Sequence, residues 1–395
     1  MMRKLKNLFF HLTQSAKWLG RYRSRHRFNR RPIHVVFCLA DHYEPGHGGV
    51  DVATERSRVD ELLERYPSLT RDHRDCDGRL PRRTWFLPPH YHRNGTLPKL
   101  VELCKAGYGE IELHLHHGKH VPDSADNLEA TILQCVKEYS QYGIFGEVEG
   151  QRRYAFIHGD SALANSRGGQ YCGVNNEIDV LIRTGCYADF THPSGPEMSP
   201  SFTNTIFYAK GNDAEPKSYD VGVSARVGAR SDGLLIVQGP SHPSLFLSGT
   251  GGFLFRLGGL RILDDRVFQG VPATSARVAM WVNTGVSVEG QEDVIFVKTS
   301  THGAPYAASS LGGECEFLFR ELETKYNDGK NFRLHYVTAR ELYNLVRSIE
   351  DRTLQPPNIV SALNYEVSEP KYDLNWRQEE ASPALQSLVA RTYRG

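Results

Sequence analysis

From Pro32 onward the chain reads as short apolar runs separated by helix-period segments and Gly-rich turns. Ile33 to Ala40 is a continuous apolar run of strand length ending at Asp41, and Glu110 to His116 alternates with period two. Tyr154 to Ile157 runs into His158, Tyr187 to Phe190 into Thr191 and His192, Val294 to Val297 into the segment before His302, and Leu334 to Val337 into Thr338. These are the predicted strands. Between them, Asn127 to Tyr142 places Leu128, Ile132, Val136 and Tyr139 on one helical face, and Asn176 to Thr184 stops at Gly185, which suits a left-handed cap. Thr338-Ala-Arg-Glu341 has the spacing of a capping box and opens a further helix. Strands alternating with helices predict a parallel sheet, and the number of units suits a closed or distorted (β/α) barrel over residues 32–350. After Gln355-Pro-Pro the pattern turns polar and aperiodic, so residues 351–395 are expected to form a surface tail.

Composition narrows the class. With 47 Lys and Arg against 46 Asp and Glu in 395 residues and 39% hydrophobic positions, neither a disordered chain nor a globally nucleic-acid-binding one is expected. No apolar run approaches the roughly 18 to 20 residues of a spanning helix. Cys38, Cys76, Cys104, Cys135, Cys172, Cys186 and Cys315 include no C-x-x-C pair and read as free thiols of a reducing compartment. Residues 1–31 carry ten Lys and Arg before the first acid, Asp41, interleaved with Leu5, Leu8, Phe9, Leu12, Trp18 and Leu19. That arm reads either as a packed helix with a solvated linker or as an interfacial helix on the inner face of an anionic membrane. It lacks a secretory pattern, and cytoplasmic residence is the expectation.

Candidate chemistry gathers at strand ends. In Glu112-Leu113-His114-Leu115-His116-His117-Gly118-Lys119-His120, period two puts Glu112, His114 and His116 on one face, and two imidazoles near a strand end make a clamp for a divalent metal. Asp41-His42-Tyr43-Glu44 follows the first strand, and His158-Gly-Asp160 and Thr301-His302-Gly303 end later ones. In parallel α/β folds such strand ends build the active site. The Gly-rich stretches at Gly249 to Gly252 and Gly258-Gly259 lack the Lys-Ser/Thr of a P-loop, and no G-x-S-x-G elbow is present. Trp85, Trp281, Tyr91 and Tyr171 fit a core better than sugar-stacking platforms.

The segments LADHYEPG, GEIELHLHHG, FIHGDSALANS, CGVNNE, GCYADFTHPS, KTSTHGA and HYVTARELYN resemble a little-characterised bacterial branch of the polysaccharide deacetylase superfamily, over about Pro32 to Glu350. The resemblance implies a distorted barrel of the NodB type and removal of acetyl groups from N-acetylated sugars in polysaccharide biosynthesis. It further implies a divalent ion, zinc foremost, held by His114 and His116 with His42 or Glu44 in the second acid's place. Asp41 would be the base, His302 the acid, and His158 would orient substrate or a ligand. Two rival readings remain. One is an amidohydrolase or PHP-type phosphoesterase drawing further ligands from His158, Asp189, His192 and His302. The other, motivated by departures from the branch pattern at Gly118, at Asp160, Ser161 and Ala164, and at Thr299 and Ser300, is a sugar-binding or assembly protein.

Overall fold

The computed structural model describes residues 32–191, 204–244, 253–257, 260–354, 356 and 358–373, with six helical positions between Phe9 and Gly20. Most of the basic arm, His192 and residues 374–395 therefore lie outside the described residues. Strands β1 (Ile33–His42), β2 (Arg83–Leu87), β3 (Gly109–Leu115), β4 (Gly146–Val148), β5 (Gln151–His158), β6 (Cys186–Asp189), β7 (Ile206–Ala209), β8 (Gly222–Ser224) and β9 (Leu234–Val237) are followed by β10 (His242–Ser244), β11 (Phe253–Leu257), β12 (Leu260–Leu263), β13 (Val294–Thr301) and β14 (Phe332–Val337). One large sheet runs β13-β1-β2-β3-β5-β6-β9-β7-β8, with β14 also on β1 and β4 on β5, while β10, β12 and β11 form a separate small sheet. The pairings from β13 through β9 are parallel; β7 is antiparallel to both β9 and β8. Among the described residues the sheet is not closed. The fold is mixed α/β with a large, mostly parallel sheet, as the alternation of strands and helices predicts.

The middle of the sheet follows from β1. All ten residues of Ile33–His42 are buried, as expected for a parallel strand covered on both faces. Alternation then divides them: Val36, Cys38 and Ala40 pack with Leu342, Leu345 and Val346 of the helix Ala339–Glu350, whereas Ile33, Val35, Phe37 and Leu39 pack with Trp281 of Ser275–Thr284 and Leu318 and Leu322 of Gly313–Tyr326. β14 pairs with residues 33–38 of β1 and β2 with residues 39–42, so two strands share one edge in succession. The helix Ala339–Glu350 starts at the expected capping box: Thr338 Oγ1 accepts from the Glu341 N–H at 3.3 Å, and Glu341 Oε2 accepts from the Thr338 N–H at 2.9 Å. Trp85 and Trp281 are fully buried, consistent with core positions.

Within the expected C-terminal surface tail, residues 358–373 pack along that helix. Ile359, Leu363 and Val367 are buried. Arg340 makes the join, donating to Leu363 O at 3.0 Å, Val367 O at 2.9 Å and both carboxylate oxygens of buried Glu110 at 2.7 and 3.0 Å. The polar, aperiodic sequence of this strap hid its burial because its polar backbone is satisfied by Arg340 and Asn344 side chains, not by a ladder. Arg340→Ala leaves buried Glu110 with only the more distant Arg82, 3.7 Å away, as a cation and is expected to cost roughly 3–5 kcal/mol in urea unfolding. A loss under about 1 kcal/mol, typical of a surface pair, would contradict that reading.

The seven cysteines are free. No helix among the described residues is long and apolar enough to cross a membrane.

Candidate functional site

Parallel pairing aligns the carboxyl ends of β13, β1, β3 and β5, and each continues into a polar residue of one constellation. Glu44, just past β1 and 5% exposed, is its centre. Its Oε1 lies 3.0 Å from His114 Nε2 and 2.6 Å from His116 Nε2; its Oε2 lies 3.2 Å from His47 Nδ1 and 3.5 Å from His302 Nε2. His42, the last residue of β1, stacks on His302 with ring centres 4.6 Å apart and meets His114 edge-on at 4.9 Å.

The far nitrogen of each β3 imidazole is already engaged. His114 Nδ1 donates to Ile157 O at 2.8 Å, and His116 Nδ1 donates to Asp160 Oδ2 at 2.8 Å. In a neutral ring, that leaves each Nε2 as a lone pair directed at a carboxylate oxygen that also only accepts. A proton or a cation must lie between them. Burial disfavours the Glu44 anion, but hydrogen bonds from His114, His116 and His47 overcome it and hold the carboxyl well below its ordinary range. Burial likewise opposes protonation of His116, while Asp160 and Glu44 raise its pKa to about 9. The same field attracts a metal ion. Two imidazole nitrogens and a carboxylate, with the rings fixed from behind by a carbonyl and a carboxylate, are a donor set suited to zinc with a position left for water.

The constellation borders a cavity of about 370 Å³. Its lining includes Glu44, His47, His116, Asp160 and His302, with Lys119, Arg266 and Gln269 at other points of the wall. The Gln269 amide N–H, 2.7 Å from His302 Nδ1, can only donate, so His302 carries its ring proton on Nε2, facing Glu44. Burial lowers the His302 pKa to about 4, and the ring is neutral near pH 7. Gly159 permits the close approach of His116: a β-carbon there would sit 2.3 Å from the imidazole Nδ1.

Asp41 is elsewhere. Its Oδ2 accepts from Arg83 Nη1 at 3.0 Å and its Oδ1 from the Gly303 N–H at 2.8 Å; it is 1% exposed and not part of the cavity wall. Burial raises its pKa to about 6, opposed chiefly by Arg83. By gripping Gly303 it fixes the residue after His302. His158 also stands outside the wall, in a separate buried group with His117, Cys172 and Glu177. Asp189 is fully buried and accepts from the Thr191 N–H and hydroxyl at 3.1 and 2.6 Å. Of the residues expected from sequence, His42, His114, His116 and His302 are thus brought together around Glu44. Arg266 and Gln269 carried no sequence signal, since their loop has neither periodicity nor a motif. Asp160 lay at a marked strand end and His47 just past the segment LADHYEPG, both without a role.

No protein-family model matches the chain, and no curated protein matches it. Among solved structures it is similar to a GH57 branching enzyme from the hyperthermophilic archaeon Thermococcus kodakaraensis, a carbohydrate-active enzyme solved in complex with glucose. The identity is 11%, the TM-score 0.26, and the match covers 89% of this chain and 72% of that one. A likeness of that size carries no argument about fold or chemistry.

Proposed function

We propose that the chain is a metal-dependent hydrolase removing acetyl groups from N-acetylated sugars, with His114, His116 and Glu44 as ligands of a zinc ion. The observation that carries this reading is the convergence of two back-pinned imidazole nitrogens on one Glu44 oxygen, at 3.0 and 2.6 Å, beside an open cavity. When bound, the ion supplies polarisation of the substrate carbonyl and a lowered pKa for water. The chain's own residues handle protons and position. Glu44 and Asp160 are the carboxylates of the cavity wall. With Glu44 committed to the metal, Asp160 takes the role of base that sequence reasoning gave to Asp41. His302, its Nε2 facing Glu44, acts as the acid in its imidazolium form: once the ring has taken up a second proton it passes the Nε2 proton to the leaving amine and returns to neutral. Asp41 acts as a positioning residue through Gly303, and His42 buttresses the His302 ring by stacking.

Lys119 and Arg266 in the same wall favour a second reading, a phosphoesterase whose anionic substrate they would neutralise. The two are separated by offering the zinc-loaded full chain N-acetylated oligosaccharides and, separately, an aryl phosphate. Acetate release is expected. Phosphate release without acetate selects the second reading, and tight sugar binding without either product returns the chain to a binding role. Asp160→Ala is expected to weaken zinc affinity about 10- to 100-fold, the usual effect of removing a carboxylate behind a ligating imidazole. Competition with a chromophoric chelator measures it; unchanged affinity would detach Asp160 from the metal.

A further inference from the structure

The segments FIHGDSALANS and CGVNNE contribute little to the cavity described above, yet they bring three ligand-type side chains to one point beside His117. His117, at the end of the β3 segment and opposite in direction to His116, meets His158, Cys172 and Glu177, with one ligand atom of each within 4.8 Å of all the others. All four are buried, none more than 2% exposed. His117 Nε2 is 3.1 Å from Glu177 Oε1, His158 Nε2 is 3.5 Å from that same oxygen, and Cys172 Sγ is 3.4 Å from Glu177 Oε2.

Both imidazoles are held from behind. His117 Nδ1 donates to Asp123 Oδ2 at 3.0 Å, and His158 Nδ1 donates to the Gly159 carbonyl. A carbonyl only accepts, so the neutral His158 ring presents a bare lone pair at Nε2. That atom has no hydrogen-bond partner, is fully buried, and faces a carboxylate oxygen with nothing to give it. A bare lone pair left facing another acceptor in a dry interior is costly. One cation at the centre satisfies all four groups together. Bonds of about 2.0 to 2.3 Å around a tetrahedral zinc put ligand atoms roughly 3.3 to 3.7 Å from each other, close to the 3.1, 3.4 and 3.5 Å at which His117, Cys172 and His158 meet Glu177. A thiolate and a carboxylate also balance the charge of a divalent ion.

We infer that His117, His158, Cys172 and Glu177 bind a second divalent metal, zinc by its mixed N, S and O donors, in a closed four-ligand site. It is structural: four protein ligands leave no place for water, and none of the four lines the catalytic cavity. What it fastens is the loop after β5, where Asp160, Ser161, Ala164 and Asn165 all adopt positive φ, between 47° and 54°. Such conformations persist only where surrounding contacts over-determine them. The Ala164 N–H is fixed on Glu177 Oε2 at 2.6 Å, and the same loop carries Asp160 to His116. Gly118 closes the opposite side: with φ of +62°, a β-carbon there would meet the Cys172 carbonyl oxygen at 1.9 Å. The ion therefore crosslinks the β3 end, the β5 loop, the Cys172 loop and the helix Glu177–Arg183.

The test is optical. The full chain, expressed in cobalt-supplemented medium, is expected to show a thiolate-to-cobalt charge-transfer absorption in the near ultraviolet. Among the described residues no cysteine belongs to the ligand groups around Glu44, so the band must persist in Glu44→Gln whether or not that residue binds metal. It must also persist in Cys76→Ser, which removes the thiol next to His335 and Asp77. Cys172→Ser is expected to abolish it, and Cys172→His to abolish it while keeping the metal. A cobalt-loaded wild-type chain without the band, or a folded Cys172→Ser that retains it, overturns the inference; the wild-type and Cys76→Ser spectra decide even where Cys172→Ser fails to fold.

Discussion

Glu44→Gln is expected to lower zinc-supported turnover about a thousandfold or more and to remove most of the zinc bound beside the cavity. The carboxylate is 5% exposed and both oxygens face imidazoles, so its charge is little screened. Even two unit charges 4 Å apart interact by about 4 kcal/mol at an effective dielectric near 20, and a dication in contact with a carboxylate exceeds that. Each 1.36 kcal/mol is about tenfold in rate, which sets the expected size. Gln keeps the side chain's shape, and thermal unfolding in chelator should separate lost chemistry from lost fold. Full turnover in this variant would remove Glu44 from the mechanism.

His302→Ala is expected to cut kcat by roughly 10²–10⁴-fold while leaving zinc content unchanged, the range for a positioned general acid. The stake is the 3.5 Å approach of His302 Nε2 to Glu44 Oε2. Glu44, His47 and His302 form a possible ligand group of their own. If the variant loses zinc along with activity, His302 is a ligand, and the donor set becomes that of a different metal hydrolase.

Much of this arrangement was legible beforehand, for definite reasons. The apolar run Ile33 to Ala40 is buried on both faces, and the alternation from Glu110 to His116 put His114 and His116 on one side of β3, where Glu44 meets them. The strands run longer than their apolar runs: β1 continues through His42, β13 through Thr301. That extension explains the reassignment of Asp41. Inside a strand, Asp41 and His42 must face opposite ways; His42 faces the imidazoles and Asp41 faces Arg83 and Gly303. Sequence pattern marks the apolar run, not where the ladder stops, so the acid that reaches the cavity could not be read from it. The strands β7 to β12 escaped notice because they are short and lie in a Gly- and Ser-rich stretch without clear alternation. His117, His158, Cys172 and Glu177 come from three separate segments, and no spacing rule joins them.

The most direct measurement of the central claim is zinc stoichiometry by difference. The full chain without a His tag, stripped with chelator and dialysed against buffered zinc, is compared with a His114→Ala, Glu44→Gln double variant prepared identically. One equivalent less zinc per chain in the variant is expected, whatever the total bound elsewhere in the molecule. Equal zinc in the two folded proteins contradicts a metal site at Glu44, His114 and His116.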